Sequence, residues 1–158
     1  MITVSIIGIV AAIALPSYQD FIGRTRIKTT VESIQNGLQK ARSEALRRNT
    51  SVRFELNTDS SWEVGCVTPV VGGDLDCPAI IESHPSTDAS DKISIVSDDT
   101  YEMTFTNFGT RSQTANGFNQ ITVDMTGLTN SDLKITVGAG GSVRVCNDNF
   151  AAPDPRGC

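Results

Sequence analysis

Residues 1–18, MITVSIIGIVAAIALPSY, carry no charge and are rich in Ile, Val and Ala. A bilayer-spanning helix needs about 20 such residues, so the run is borderline for that length. Behind it the apolar positions continue on one side only. Ile27, Val31, Ile34, Leu38, Ala41 and Ala45 follow at steps of four, three, four, three and four, the period of one helix face. Arg24, Lys28, Glu32, Gln35, Gln39 and Arg42 fall largely off that stripe. The pattern predicts one helix from near the N-terminus to about Arg48, about 70 Å long at 1.5 Å per residue. Its front half is apolar all round and its rear half on one face. Pro16 removes a backbone hydrogen bond and is expected to kink the helix near residues 12–16; Gly8 and Gly23 are expected to loosen it.

After Asn49, a plausible helix terminator, the period changes to two. Strand candidates fall at residues 51–56, 61–66, 79–83, 92–97, 101–106, 120–125, 133–138 and 142–146. Turn-forming stretches such as NTDS, VGGD, TANG and GLTNSD separate them. In the first candidate Val52, Phe54 and Leu56 alternate with Arg53 and Glu55, as a half-buried strand requires. The fold class is α+β: a long kinked N-terminal helix whose rear half packs on antiparallel β-sheet. Residues 1–23 form an apolar, membrane-grade half of the helix. Residues 24–158 form the globular part, made of an amphipathic helix half, 24–48, and a β-rich body, 49–158.

Charge sharpens that division. The whole chain carries a formal net charge of -5. Residues 24–48 hold seven basic groups against Glu32 and Glu44, whereas from Asn49 onward acidic residues outnumber basic ones. An apolar head, a basic neck and an acidic body follow in that order. An acidic body argues against wholesale nucleic-acid binding, which leans on neutralising phosphate.

The four cysteines, Cys66, Cys77, Cys146 and Cys158, fall as two local pairs. Four cysteines allow three connectivities; Cys66–Cys77 and Cys146–Cys158 are the simplest. A four-thiolate zinc site is the rival, but zinc ribbons use CxxC-like knuckles and neither pair has one. Disulfides place the body in an oxidising compartment.

Catalytic motifs are sparse. The one histidine, His84, stands beside Pro85 in a Ser/Asp/Pro-rich stretch read as a loop. The chain has no GxSxG, HExxH or glycine-rich strand-to-helix loop. GAGG, residues 138–141, lies between two strand candidates and reads as a hairpin turn rather than a phosphate cradle. Asp98 with Asp99, or Asp74 with Asp76, lacks an EF-hand pattern and reads as turn formers before calcium ligands. No enzyme activity, cofactor, metal or small-molecule substrate is expected.

MITVSIIGIVAAIALPSYQDFI resembles the N-terminal segment of type IV pilins and of the pseudopilins of type II secretion. LQKARSEALRRNTSVRFEL is similar to the GspH/FimT family of minor pilins and pseudopilins, and VRVCNDNFAAPDPRGC matches it more loosely. The resemblance implies a subunit held in the bacterial inner membrane by its helix with a periplasmic domain. That subunit would then join an extracellular pilus or a periplasmic pseudopilus, at or near its tip, to help initiate or cap assembly. Ile2, Val4, Ile6, Ile7, Ile9, Val10, Ile13 and Leu15, with Pro16, are the residues expected to exchange lipid for neighbouring subunits. In the family this segment is preceded by a peptidase site and a start resembling Phe-Thr-Leu-Ile-Glu. Met1 falls several residues into that pattern, as a late-assigned start or a trimmed chain would give.

Some FimT-like members take up DNA during natural transformation through arginines in a motif resembling Gly-Arg-x-Arg. Here the sequence reads Gly141-Ser142-Val143-Arg144, so Arg144 matches and the first arginine is a serine; Arg156 is a further candidate. Asp148 and Asp154 nearby weaken that footprint. A third reading, a secreted binding protein freed at AIA by signal peptidase, lacks a basic segment ahead of the apolar run. It also interrupts a helical pattern that runs on unbroken. The basic neck is expected to meet the acidic bodies of neighbouring subunits.

Overall fold

The computed structural model describes residues 2–70, 72, 76–86, 92–113, 117–150, 153, 154 and 156–158. Of residues 2 and 4–17 it describes the backbone alone. One helix, α1, runs Ile2–Arg48. It continues through Pro16 in the backbone, but the kink expected there, Gly8 and the apolar head's side chains lie outside the described residues. Asn49, with φ of 50°, ends the helix. Its amide donates to the carbonyl of Leu46, and that of Thr50 to Ala45, an asparagine in the left-handed terminal position.

Eight strands follow: β1 (Val52–Leu56), β2 (Trp62–Cys66), β3 (Glu82–His84), β4 (Ile93–Ser97), β5 (Glu102–Phe105), β6 (Gln120–Met125), β7 (Leu133–Val137) and β8 (Val143–Cys146). They form two four-stranded antiparallel sheets, ordered β3-β2-β1-β5 and β4-β6-β7-β8. Burial alternates at period two on β1 and β6: Val52, Phe54 and Leu56 are buried on β1, and Ile121, Val123 and Met125 on β6.

The helix stripe is the shared floor of both sheets. Ile27, Val31, Ile34, Leu38, Ala41 and Ala45 are all buried. Against them pack β1, β2 and β5 of the first sheet and β6, β7 and β8 of the second. Phe54, Phe105, Phe118 and Met103 fill the space between. Each large apolar side chain buried this way contributes about 1.5–3 kcal/mol.

Two helix glycines set how closely the layers approach. A Cβ on Gly37 would lie 2.7 Å from Phe54 Cε2 and 2.9 Å from Trp62 Cδ2. A Cβ on Gly23 would lie 2.4 Å from Leu128 Cδ1. Gly23 therefore seats the helix on the β6–β7 loop rather than loosening it.

The expected strand at 79–83 is displaced. β3 begins only at Glu82, because the preceding residues cross β2 as irregular chain. The amide of Cys66 donates to Pro78 and that of Ile81 to Val64. The Ala79 carbonyl occupies the place of a Cβ at Gly65, 1.8 Å from where one would stand. His84 accordingly ends a strand instead of sitting in a loop. Its ring stacks on Trp62 with centroids 5.5 Å apart.

Both disulfides join local pairs: Cys66 to Cys77, with Cα atoms 5.8 Å apart, and Cys146 to Cys158, 5.1 Å apart. The first closes a loop over the end of β2; the second ties the C-terminal residues to the end of β8, where the amide of Asn147 donates to the carbonyl of Arg156.

Candidate functional site

Among the residues whose side chains are described, the body grips α1 from Gly23 to Ala45. Along this seated stretch several cations of the basic neck meet the chain's own groups. Arg42 Nε donates to the Gly109 carbonyl at 3.0 Å and its Nη2 to the Gly140 carbonyl at 3.3 Å. One guanidinium thus ties the helix to the β5–β6 loop beside the first sheet and to the β7–β8 turn of the second. The two loops also interlock directly. The amide of Arg111 donates to the Ala139 carbonyl at 3.1 Å, and Gly141, at φ 75°, lies against the Gly109 carbonyl. GAGG is a hairpin turn between β7 and β8, with Gly141 supplying the positive φ.

Two residues further on, Glu44 is 5% exposed and gathers the helix end. Its Oε2 accepts from Arg47 Nη2 at 2.6 Å and from Arg48 Nε at 2.8 Å. Lys40 lies 3.7 Å from Oε1 and 3.2 Å from Glu82 of β3. Burial alone would raise the Glu44 pKa, but the hydrogen bonds and positive charges of Arg47 and Arg48 outweigh it and hold the carboxyl below its ordinary value. A group with a lowered folded-state pKa stabilises the fold above its unfolded pKa, and that contribution fades as pH falls through the folded value. Arg48 also donates through Nη1 to the Asp76 carbonyl of the Cys66–Cys77 loop. Three of the seven neck cations, Lys40, Arg42 and Arg48, thus reach the chain's own body, and Arg47 pairs with Glu44 within the helix.

On the outer face of the first turns of this stretch the remaining cations face outward. Arg24 makes a long 3.4 Å contact to the Thr129 carbonyl, Lys28 lies 3.8 Å from Glu32, and Arg26 is exposed. Between them runs a feature that sequence reading missed. Tyr18 and Phe21 are 64% and 65% exposed, and Thr25 and Thr29 are exposed one and two turns on. The Thr25 hydroxyl donates to the Phe21 carbonyl and the Thr29 hydroxyl to the Thr25 carbonyl, each at 2.9 Å. Steps of three, four and four mark a helix face. The threonines concealed it, because they count as polar until their hydroxyls are seen turned back onto the helix.

The two arginines considered for DNA do not make one site. Arg144 is exposed on β8 and, with Asp98, Asn119 and Ser142, lines a cavity of about 470 Å³. Asp98 is already engaged. Its carboxylate accepts from the amides of Asn119 and Gln120 and from the Asn119 side chain. Burial raises its pKa, and these bonds bring it below the ordinary value. Arg156 is occupied by Asp154, with Nη2 2.7 Å from Oδ2 and Nε 3.0 Å from Oδ1, and lies 4.0 Å over the Phe150 ring.

The Arg156 hydrogen bonds push the Asp154 carboxyl down to about 2. We expect Asp154 to titrate near that value by carboxyl NMR and to return toward its model-peptide value of 3.8 in Arg156→Ala. An unchanged titration would show the pair to be absent in solution. Among the described residues no group of His, Cys, Asp and Glu is placed to hold a metal ion.

A single long helix that floors two antiparallel sheets is the architecture of type IV pilin-class subunits. The chain matches the family described as type II transport protein GspH over residues 30–154, and it belongs to that family. Over 65 residues it is 37% identical to two fimbrial proteins of Pseudomonas aeruginosa, covering 41% of this chain and 42% of each relative. The chain thus aligns with less than half the length of those relatives. Its fold is shared with crystal structures of the type IV minor pilin FimU of Pseudomonas aeruginosa. One has a TM-score of 0.61 at 18% identity, covering 84% of this chain and 97% of that one. A second crystal form gives 0.55 at 17%, covering 80% and 97%. Among the described residues no helix is long and apolar enough to cross a membrane; the side chains of residues 4–17, where the apolar run lies, fall outside that set.

Proposed function

We propose that the chain is a minor pilin or pseudopilin that waits in the inner membrane by residues 1–23 and then joins a filament, where it helps to initiate or cap assembly. The observation that carries this reading is the division of α1. One unbroken helix is seated on its own body along the stripe from Ile27 to Ala45. In this reading the uncharged run ahead of it, with Ile2, Val4, Ile6, Ile7, Ile9, Val10, Ile13, Leu15 and Pro16, meets lipid and then the helices of neighbouring subunits. Residues 24–158 form the part displayed outside the membrane. The likeness to fimbrial proteins favours a pilus; the family description favours the type II secretion pseudopilus as the second setting.

The DNA-receptor reading has less support, since Asp154 neutralises Arg156 and Arg144 is left without a second cation from that motif. Low-salt gel shifts with the protein and its Arg144→Ala plus Arg156→Ala variant would restore that reading if they showed a salt-dependent, arginine-dependent complex.

The filament reading is tested by Ile9→Lys. A charge at the middle of an apolar helix costs about 2.5–3.5 kcal/mol on insertion scales. The variant should fall on the order of tenfold or more in the sheared filament fraction of its native cell, with the folded body still detectable by antibody. Undiminished incorporation would overturn the role given to the head.

A further inference from the structure

We propose that the projecting face of α1 formed by Tyr18, Phe21, Thr25 and Thr29 docks on an anionic phospholipid surface, with Arg24, Arg26 and Lys28 reaching its headgroup phosphates. This inference rests on the membrane-held stage of the reading above. At about 100° per residue, the four residues lie on the side of the helix opposite the buried stripe of Ile27, Val31, Ile34 and Leu38. Arg24 and Lys28 flank them on one side and Arg26 on the other.

Three observations converge on lipid. The two rings stand exposed at 64% and 65% directly after an uncharged run, where aromatic residues sit at a membrane boundary. The two exposed threonine hydroxyls are satisfied by the helix's own carbonyls at 2.9 Å. They need no water and present methyl groups outward. The flanking cations are the neck's least engaged, and long cationic side chains beside an apolar stripe extend to headgroup level.

A second copy laid on the same face would set three cations against three, with Asp20 as the nearby carboxylate and Glu32, beside Lys28, at the stripe's end. Charge therefore favours an anionic bilayer over this chain's own helix.

The test uses the full chain with Phe21→Trp in lipid nanodiscs of phosphatidylcholine alone or mixed with phosphatidylglycerol, each carrying brominated acyl chains. Trp62, buried at 4% exposure, serves as the internal reference. Tryptophan 21 should be quenched several-fold more in the anionic discs. Added salt, or Arg24→Gln with Arg26→Gln and Lys28→Gln, should return it to the phosphatidylcholine level. Equal quenching in both lipids would overturn the inference, since headgroup charge then plays no part. So would a disc-bound chain with no quenching whose tryptophan 21 becomes shielded only as protein concentration rises, because the face then belongs to a subunit contact. Both of those results leave membrane anchoring intact. A chain that binds neither disc overturns the anchoring and this inference together.

Discussion

Gly141→Ala should lower stability by about 3 kcal/mol, seen as a fall of roughly 6–12 °C in the thermal midpoint of a chain this size. Two causes add. The residue sits at φ 75°, where any Cβ is strained. The new methyl would also stand 2.1 Å from the Gly109 carbonyl oxygen and 3.2 Å from Arg42 Nε. Main chain at that distance can only shift, which costs about 1–3 kcal/mol. Relief would have to come from the loop contact that joins the two sheets. Gly140→Ala is the control: nothing lies within 4 Å of its Cβ position, so its effect should be small. Equal melting of the two variants by circular dichroism would show that the interlock of the loops does not hold in solution.

Removing the disulfides should have an effect of similar size for each. The pairs are separated by 11 and 12 residues, and closing loops of that length stabilises a fold by about 3 kcal/mol in the chain-entropy account. Cys146→Ser with Cys158→Ser should approach that full loss, because beyond Asn149 the described tail is otherwise tied back to the end of β8 by the Asn147–Gly157 bridge, the contacts of Asp148 with Lys134 and of Asn149 with Asp132 lying before it. Cys66→Ser with Cys77→Ser should lose less than the loop length implies. That loop keeps the Val70–Cys77 bridge, the Cys66 amide bonded to Pro78 and the Arg48 contact to Asp76. Replacing all four cysteines together should remove more than about 3 but less than about 6 kcal/mol, from a domain of the usual ~5–15 kcal/mol. Urea unfolding of the three variants would rank them; a larger loss for the 66–77 pair would contradict this account of the loop.

The helix was legible in the sequence because its burial is periodic. Every residue of the stripe from Ile27 to Ala45 is buried, and that spacing needs no knowledge of what lies opposite. Strands with strict alternation, such as β1 and β6, were legible for the same reason. AII at 79–81 misled because an apolar run reads as strand, whereas its backbone is fixed by Gly65 and the disulfide loop beneath it. The allocation of strands to two sheets depends on partners far apart in the chain, such as β1 with β5, and no local pattern records it.

The neck shows the same limit for charge. Counting gives a basic block facing neighbours, but Arg42, Arg48 and Lys40 find partners that reach them only when the β5–β6 loop, the disulfide loop and β3 fold over the helix end. Conversely, the Tyr18–Thr29 face was present as spacing and was overlooked because a threonine's hydroxyl can be turned inward.

Because both sheets rest on a single stripe of side chains, a pull along the rod enters the two halves of the head at once. Neither half can be peeled away first without baring the other's floor. Whatever tension reaches such a subunit is resisted as shear over its full contact length, with the guanidinium of Arg42 as the rivet at its outer end.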